Sequence, residues 1–140
     1  MSRKQERIAF VYSRLNALGF DYAEASNLLR IEKTLHRWHE LECGTDAGSI
    51  ERDEATEKPY FRRQWQGMDG KWNDKKYPYP DKEKGALKRL AGIMTNHPDL
   101  VSYQQGDPRG CALYILNKKD IKEGERIDSI YSRGLSVCVD

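Results

Sequence analysis

Apolar residues recur along this chain with two different periods. Between residues 3 and 18, Ile8, Val11, Tyr12, Leu15 and Leu18 fall three or four apart, the stripe of an amphipathic helix. Gly19 stops that helix, because glycine accepts the left-handed conformation that closes a C-terminus. Asp21 opens a second helix, with Glu24 three residues on in capping-box position. Leu28, Ile31, Leu35, Trp38 and Leu41 carry its apolar face over residues 22–42, and Gly44 ends it. The short link Gly19-Phe20 makes the two helices an antiparallel pair. A third helix is predicted over 81–97, with Asp81 as N-cap and Ala86, Leu87, Leu90, Ile93 and Met94 on its apolar side. It stops at His97, since the residue before Pro98 is driven out of the helical region.

The other period is two. Residues 100–105 and 111–117 are β-prone runs flanking the tetrad Asp107-Pro108-Arg109-Gly110. Proline pre-sets the backbone for the second turn position, aspartate caps the turn amides and glycine closes it, so the stretch reads as a β-hairpin. Leu135, Val137 and Val139 alternate with Ser136 and Cys138, predicting a half-buried strand over 134–139. Ser49–Asp53 and Pro59–Trp65 read as an extra, more exposed hairpin over 49–65. Residues 66–80 read as a long loop punctuated by Gly67, Gly70, Pro78 and Pro80. The expected fold is α+β: one small antiparallel sheet packed on three helices. It forms a single domain made of a helical pair (3–42), a hairpin and loop (49–80), and a helix plus sheet (81–139).

Composition changes this picture little. A chain of 140 residues can bury one core, and 38% hydrophobic against 33% charged residues implies a heavily solvated surface. No apolar run approaches the ~20 residues of a membrane span. The basic start, Met1 to Arg7, is followed by no apolar stretch of signal-peptide length, so a cytoplasmic location is expected. Three cysteines, Cys43, Cys111 and Cys138, make an odd count without close spacing, which argues for reduced thiols. Cys111 and Cys138 can neighbour each other in the sheet as small buried hydrophobes.

The distribution of charge matters more. Glu40 to Glu57 holds seven acids and one base, whereas Pro59 to Leu90 holds nine bases and four acids. The basic block interleaves Arg62, Arg63, Lys75 and Lys76 with Trp65, Trp72, Tyr77 and Tyr79. Cations meet phosphates while aromatic faces stack on unpaired bases, so this block is the nucleic-acid candidate. Exposed Trp, Tyr and Arg are equally the residues enriched at protein–protein hot spots. Arg109 at the hairpin tip, with Arg133 before the last strand, adds a guanidinium fork for a carboxylate or phosphate.

Other patterns are weaker. His36, His39 and Cys43 share a helix face at zinc-ligand spacing, but a solvated helix surface explains them as well. The acids Asp46, Glu51, Asp53 and Glu54 lack the spacing and glycine of a calcium loop and suit an edge strand. Asp81-Lys82-Glu83-Lys84 superficially resembles the acid–x–Lys element of metal-dependent nucleases, yet it opens a helix. No Gly-rich phosphate loop or nucleophile signature is present. No cofactor is implied, and the chain reads as a non-enzyme.

Several stretches together resemble a family of uncharacterised small proteins of tailed bacteriophages and prophages. They are Arg30 to Trp38 running into Glu42-Cys43-Gly44, Ile50 to Glu54 with Lys58-Pro59-Tyr60, Gly85 to Leu90, Tyr131 to Gly134, and above all Tyr103-Gln104-Gln105-Gly106-Asp107-Pro108-Arg109-Gly110-Cys111-Ala112-Leu113-Tyr114-Ile115. The resemblance spans roughly residues 28 to 138. It implies a phage origin and a bacterial cytoplasm, and no chemistry. The expectation is a binding protein acting on a host protein, such as a component of a CRISPR defence system. The alternatives are nucleic-acid binding through residues 59–90, and a small enzyme or metal-binding protein.

Overall fold

The computed structural model describes residues 2–42, 49–57, 59–77, 79–104, 113–126 and 133–139; for 39–42, 49, 50, 59 and 79–82 it describes the backbone alone. Helix α1 spans Arg3–Ala17. Ser2 caps it in a full capping box, accepting from the Gln5 amide at 3.2 Å while the Gln5 side chain accepts from the Ser2 amide at 3.0 Å. Gly19, at φ +103°, turns the chain, and the Phe20 amide reaches back to the Leu15 carbonyl at 3.1 Å. Helix α2 spans Tyr22–Glu42. Its predicted box is present: the Glu24 amide donates to Asp21 Oδ1 at 2.8 Å and the Asp21 amide to Glu24 Oε1 at 3.1 Å.

Two separate three-stranded antiparallel sheets follow, each in chain order. The first comprises β1 (Ser49–Arg52), β2 (Pro59–Gln66) and β3 (Trp72–Tyr77). Helix α3, Tyr79–Thr95, comes next. The second sheet comprises β4 (Leu100–Tyr103), β5 (Tyr114–Asn117) and β6 (Leu135–Ser136), with a short 3-10 turn at Lys118–Asp120. The architecture is α+β, as the two periods imply. No helix among the described residues is long and apolar enough to cross a membrane.

The main core joins α1, α2, α3 and the second sheet. Val11 and Leu15 of α1, Leu28, Ile31 and Leu35 of α2, Ala86 and Leu90 of α3, and Leu113, Ile115 and Val137 all lie within it. The predicted apolar stripes of the three helices are therefore core faces. A second, much smaller cluster couples Trp38 of α2 to Phe61 of β2, with Tyr77 of β3 against it.

Two expectations are corrected. Residues 66–80 are mostly not a loop, because Trp72–Tyr77 pairs along β2 and α3 already begins at Tyr79. The strand escapes pattern reading because residues 72–76 are exposed and Tyr77 half-buried, so no apolar alternation marks them. Pro80 is tolerated in the first helical turn, where its missing N–H has no partner to lose. The expected single sheet is two sheets. Its strands are also shorter than predicted, with β6 reduced to two residues, although Val137 still donates to the Leu113 carbonyl at 3.1 Å. Cys138 is the small buried hydrophobe expected there, buried like Val137, with α1 beside it and Arg7 Nε donating to its carbonyl.

Tyr103 faces Tyr114 and Leu100 faces Asn117, the register that a turn centred on Asp107–Gly110 demands. The tetrad itself, with Arg109 and Cys111, lies outside the described residues, as does Cys43.

Candidate binding surface on the first sheet

Strand alternation sorts the predicted site residues onto two faces. Phe61 pairs with Tyr77, Arg63 with Lys75 and Trp65 with Asn73, so these six share one face. Arg62 pairs with Lys76 and Gln66 with Trp72 on the other. Both faces set two cations directly opposite each other, an arrangement that is destabilising unless the charge is relieved. The relief differs between the faces.

On the second face it comes from carboxylates. Arg62 makes a two-pronged contact with Asp74, at 2.7 Å through Nη2 and 3.0 Å through Nε, and lies 3.6 Å from Glu51. The Asp74 carboxylate, through its hydrogen bonds and charge, holds the Arg62 guanidinium above its ordinary pKa, and Arg62 in turn holds Asp74 below its own. Tyr60 donates to Glu51 at 2.9 Å, which raises the phenol, and Lys76 sits over the Tyr60 ring at 5.0 Å. Arg62 and Lys76, two of the predicted binding cations, are thus occupied within the sheet. The same network accounts for Glu51. Asp53 caps the following turn by accepting from Ala55 and Thr56, so these acids serve the hairpin.

On the first face the strands contribute no carboxylate. Arg63 lies 5.1 Å over Trp65, while Lys75 and Arg37 lie 5.0 and 5.6 Å from the Tyr77 ring. Burial pushes the Tyr77 hydroxyl up, but the surrounding Arg37, Lys75 and Arg63 outweigh it and bring the phenol below its ordinary range. The face grades from a buried end, where Tyr77 meets Trp38 edge-on at 6.4 Å, to an exposed cationic end at Trp65. Arg37 escapes a reading by blocks, because it lies on α2, far from the basic stretch in sequence.

The β2–β3 turn is the most exposed apolar part of this sheet. Met68 is fully exposed and Trp72 is 74% exposed, with Trp65 at 36%. The turn is nevertheless well hydrogen-bonded. The Gly67 amide donates to the Lys71 carbonyl at 2.8 Å, the Lys71 amide to Asp69 Oδ1 at 3.0 Å, and Gln66 Nε2 to the Gly70 carbonyl at 3.0 Å. Gly70, at φ +79°, takes a turn position whose backbone conformation a side chain would strain. Met68 was not among the predicted contact residues; an unbranched apolar side chain in a turn signals nothing until the turn is seen to project.

The remaining candidates lie elsewhere. Arg133 belongs to the second sheet's end, where it donates to the Asp120 carbonyl at 2.8 Å and pairs with Glu125. It clamps the connector after β5, and the structure does not bring it to the first sheet. Tyr79 sits in the first turn of α3 rather than in a loop. His36 and His39 both fall on α2, with the His39 side chain and Cys43 outside the described residues. Among the described residues no group of three or more His, Cys, Asp or Glu is placed to hold a metal ion.

No family model, curated protein or solved structure matches the chain.

Proposed function

We propose that this chain is a non-catalytic, phage-encoded binding protein that engages a protein of the bacterial host through the β2–β3 hairpin. The observation that carries this reading is the ordered turn bearing Trp65, Met68 and Trp72. A hydrogen-bonded turn loses little backbone freedom on contact, and tryptophan is enriched at interface hot spots. The resemblance to tailed-phage proteins supports a host target, with a defence system such as CRISPR as the partner class. The test is differential capture. Tagged protein and a W65A/M68S/W72A variant are passed over host lysate, with retained proteins quantified. A partner retained by the first and lost from the second is expected; identical profiles overturn the hairpin as contact surface.

A second reading is favoured by the face to which β2 and β3 contribute no carboxylate. Arg63, Lys75 and Arg37 beside Trp65 and Tyr77 suit an unpaired nucleic-acid strand. A gel-shift series at two salt concentrations with R63E/K75E tests it. Steep loss of binding with salt and in the variant is expected if phosphates are contacted. No shift at low salt removes this reading.

A further inference from the structure

A stripe on α1 remains outside both readings. Arg3, Arg7, Phe10 and Arg14 fall at helical spacing on one side of the helix, bordering the buried face of Val11 and Leu15. They line a groove of about 690 Å³ between α1 and β6, opposite Arg133, Leu135 and Ser136. A smaller hollow of about 210 Å³ continues it past Arg14 toward Leu18 and Asp120. Among the described residues Arg3 and Arg14 form no ion pair, and Glu6 is the one acid among those that line the larger part. Arg7, which also lines the groove, is steadied by its Nε contact to the Cys138 carbonyl. Phe10, amid these guanidinium groups, is 59% exposed.

We infer that this groove binds a single-stranded nucleic acid along its length. Arg3 to Arg14 spans about 16 Å of helix axis. A narrow trough of that length admits one extended chain rather than a duplex lying across it. Guanidinium forks match phosphate oxygens. An acidic peptide would satisfy them equally, and the exposed ring decides between the two polyanions. Phe10 gains nothing against carboxylates, but it offers a stacking face to an unpaired base. Asp120 at the far end limits the cationic run to the first part of the groove, so about three phosphates are contacted, by Arg3, Arg7 and Arg14.

The experiment is fluorescence anisotropy of a labelled oligothymidylate of about 15 nucleotides, with the full chain and three variants whose folding is checked by circular dichroism. Three phosphate contacts on a single strand predict that log affinity falls against log salt with a slope of about −2. R3E/R14E is expected to weaken binding more than about tenfold and flatten that slope, since each lost contact removes about 0.7. F10A is expected to weaken binding about fivefold or more while leaving the slope in place, the mark of stacking rather than charge. R63E/K75E, on the first sheet, is expected to leave both unchanged. No binding at low salt overturns the proposal. Binding that survives R3E/R14E but fails in R63E/K75E also overturns it and moves the strand to the first sheet. Polyglutamate competing as well as unlabelled oligothymidylate overturns it in favour of an acidic peptide.

Discussion

The two sheets share a topology, three antiparallel strands in chain order, but not a setting. In the second sheet, Leu100, Ile115 and Leu116 are buried, and the strands close the core made by the three helices. In the first, Phe61 is the buried strand residue among those described, and Tyr77 is the half-buried one packed against it beside Trp38. The rest of β2 and β3 is held by backbone pairing, by the Arg62–Asp74 contact and by cations over rings. A sheet that contributes little to the core is free to vary its side chains for contact. The difference teaches where to look for stability and where for recognition.

Truncating the core should separate the two settings most clearly. Ile115→Ala is expected to lower the free energy of unfolding by about 2–5 kcal/mol, because it leaves a cavity in a packed interior. Chemical denaturation followed by helix and tryptophan signals should show one shifted transition. Should the variant unfold only locally, the second sheet is not the structural one.

Phe61→Ala tests the other side. Its cluster is small, so the loss is expected to stay local. Hydrogen exchange should show the β2 and β3 amides losing protection while those of Ile115 and Leu116 keep theirs. Equal loss in both sheets would mean that they unfold as one unit and that the contrast is false.

A smaller effect concerns the joint between α1, α2 and α3. The Asp21 amide holds the Glu24 carboxyl below its ordinary value of 4.5; burial opposes this, and His97, at 2.9 Å, adds to it. A carboxylate depressed in the folded state contributes stability above its unfolded value, lost as the pH falls through the folded one. The gap in thermal midpoint between the wild-type chain and Glu24→Gln is therefore expected to be widest near neutral pH and to close below pH 4.5. A gap that widens in acid would contradict the assignment.

The smallest effect on stability is expected at the hairpin turn. M68S/W72A should change the unfolding free energy by no more than about 0.5 kcal/mol, as surface substitutions do. A larger loss would show that the turn serves the fold rather than a partner.

Much of the core side of this contrast was legible in the chain. Val11 with Leu15, Leu28 with Ile31, and Ala86 with Leu90 announce their burial by helical spacing, and Asp21 with Glu24 announces a helix start. The recognition side was legible only as composition. Arg62 and Arg63 are neighbours of the same type, yet one is taken up by Asp74 and the other lies over the Trp65 ring. Strand parity separates them, and parity had no fixed reference until β3 was known to pair. The arginine stripe of α1 had a readable period, but the groove beside it depends on β6, more than a hundred residues away.

Local backbone physics is what this sequence determined by itself. The limits of the first two helices, the Asp21–Glu24 cap, the Gly19 stop and the register of the β4–β5 pairing follow from residues close in the chain, whose preferences act wherever the segment lies; the third helix begins at Tyr79, ahead of the expected Asp81 cap. The tertiary structure decided how charges were spent. Whether a cation is paired, stacked or left toward solvent depends on which residues long-range packing brings within a few ångströms. In this chain the 59–77 block was therefore one basic stretch in the sequence and became two chemically different faces in the fold.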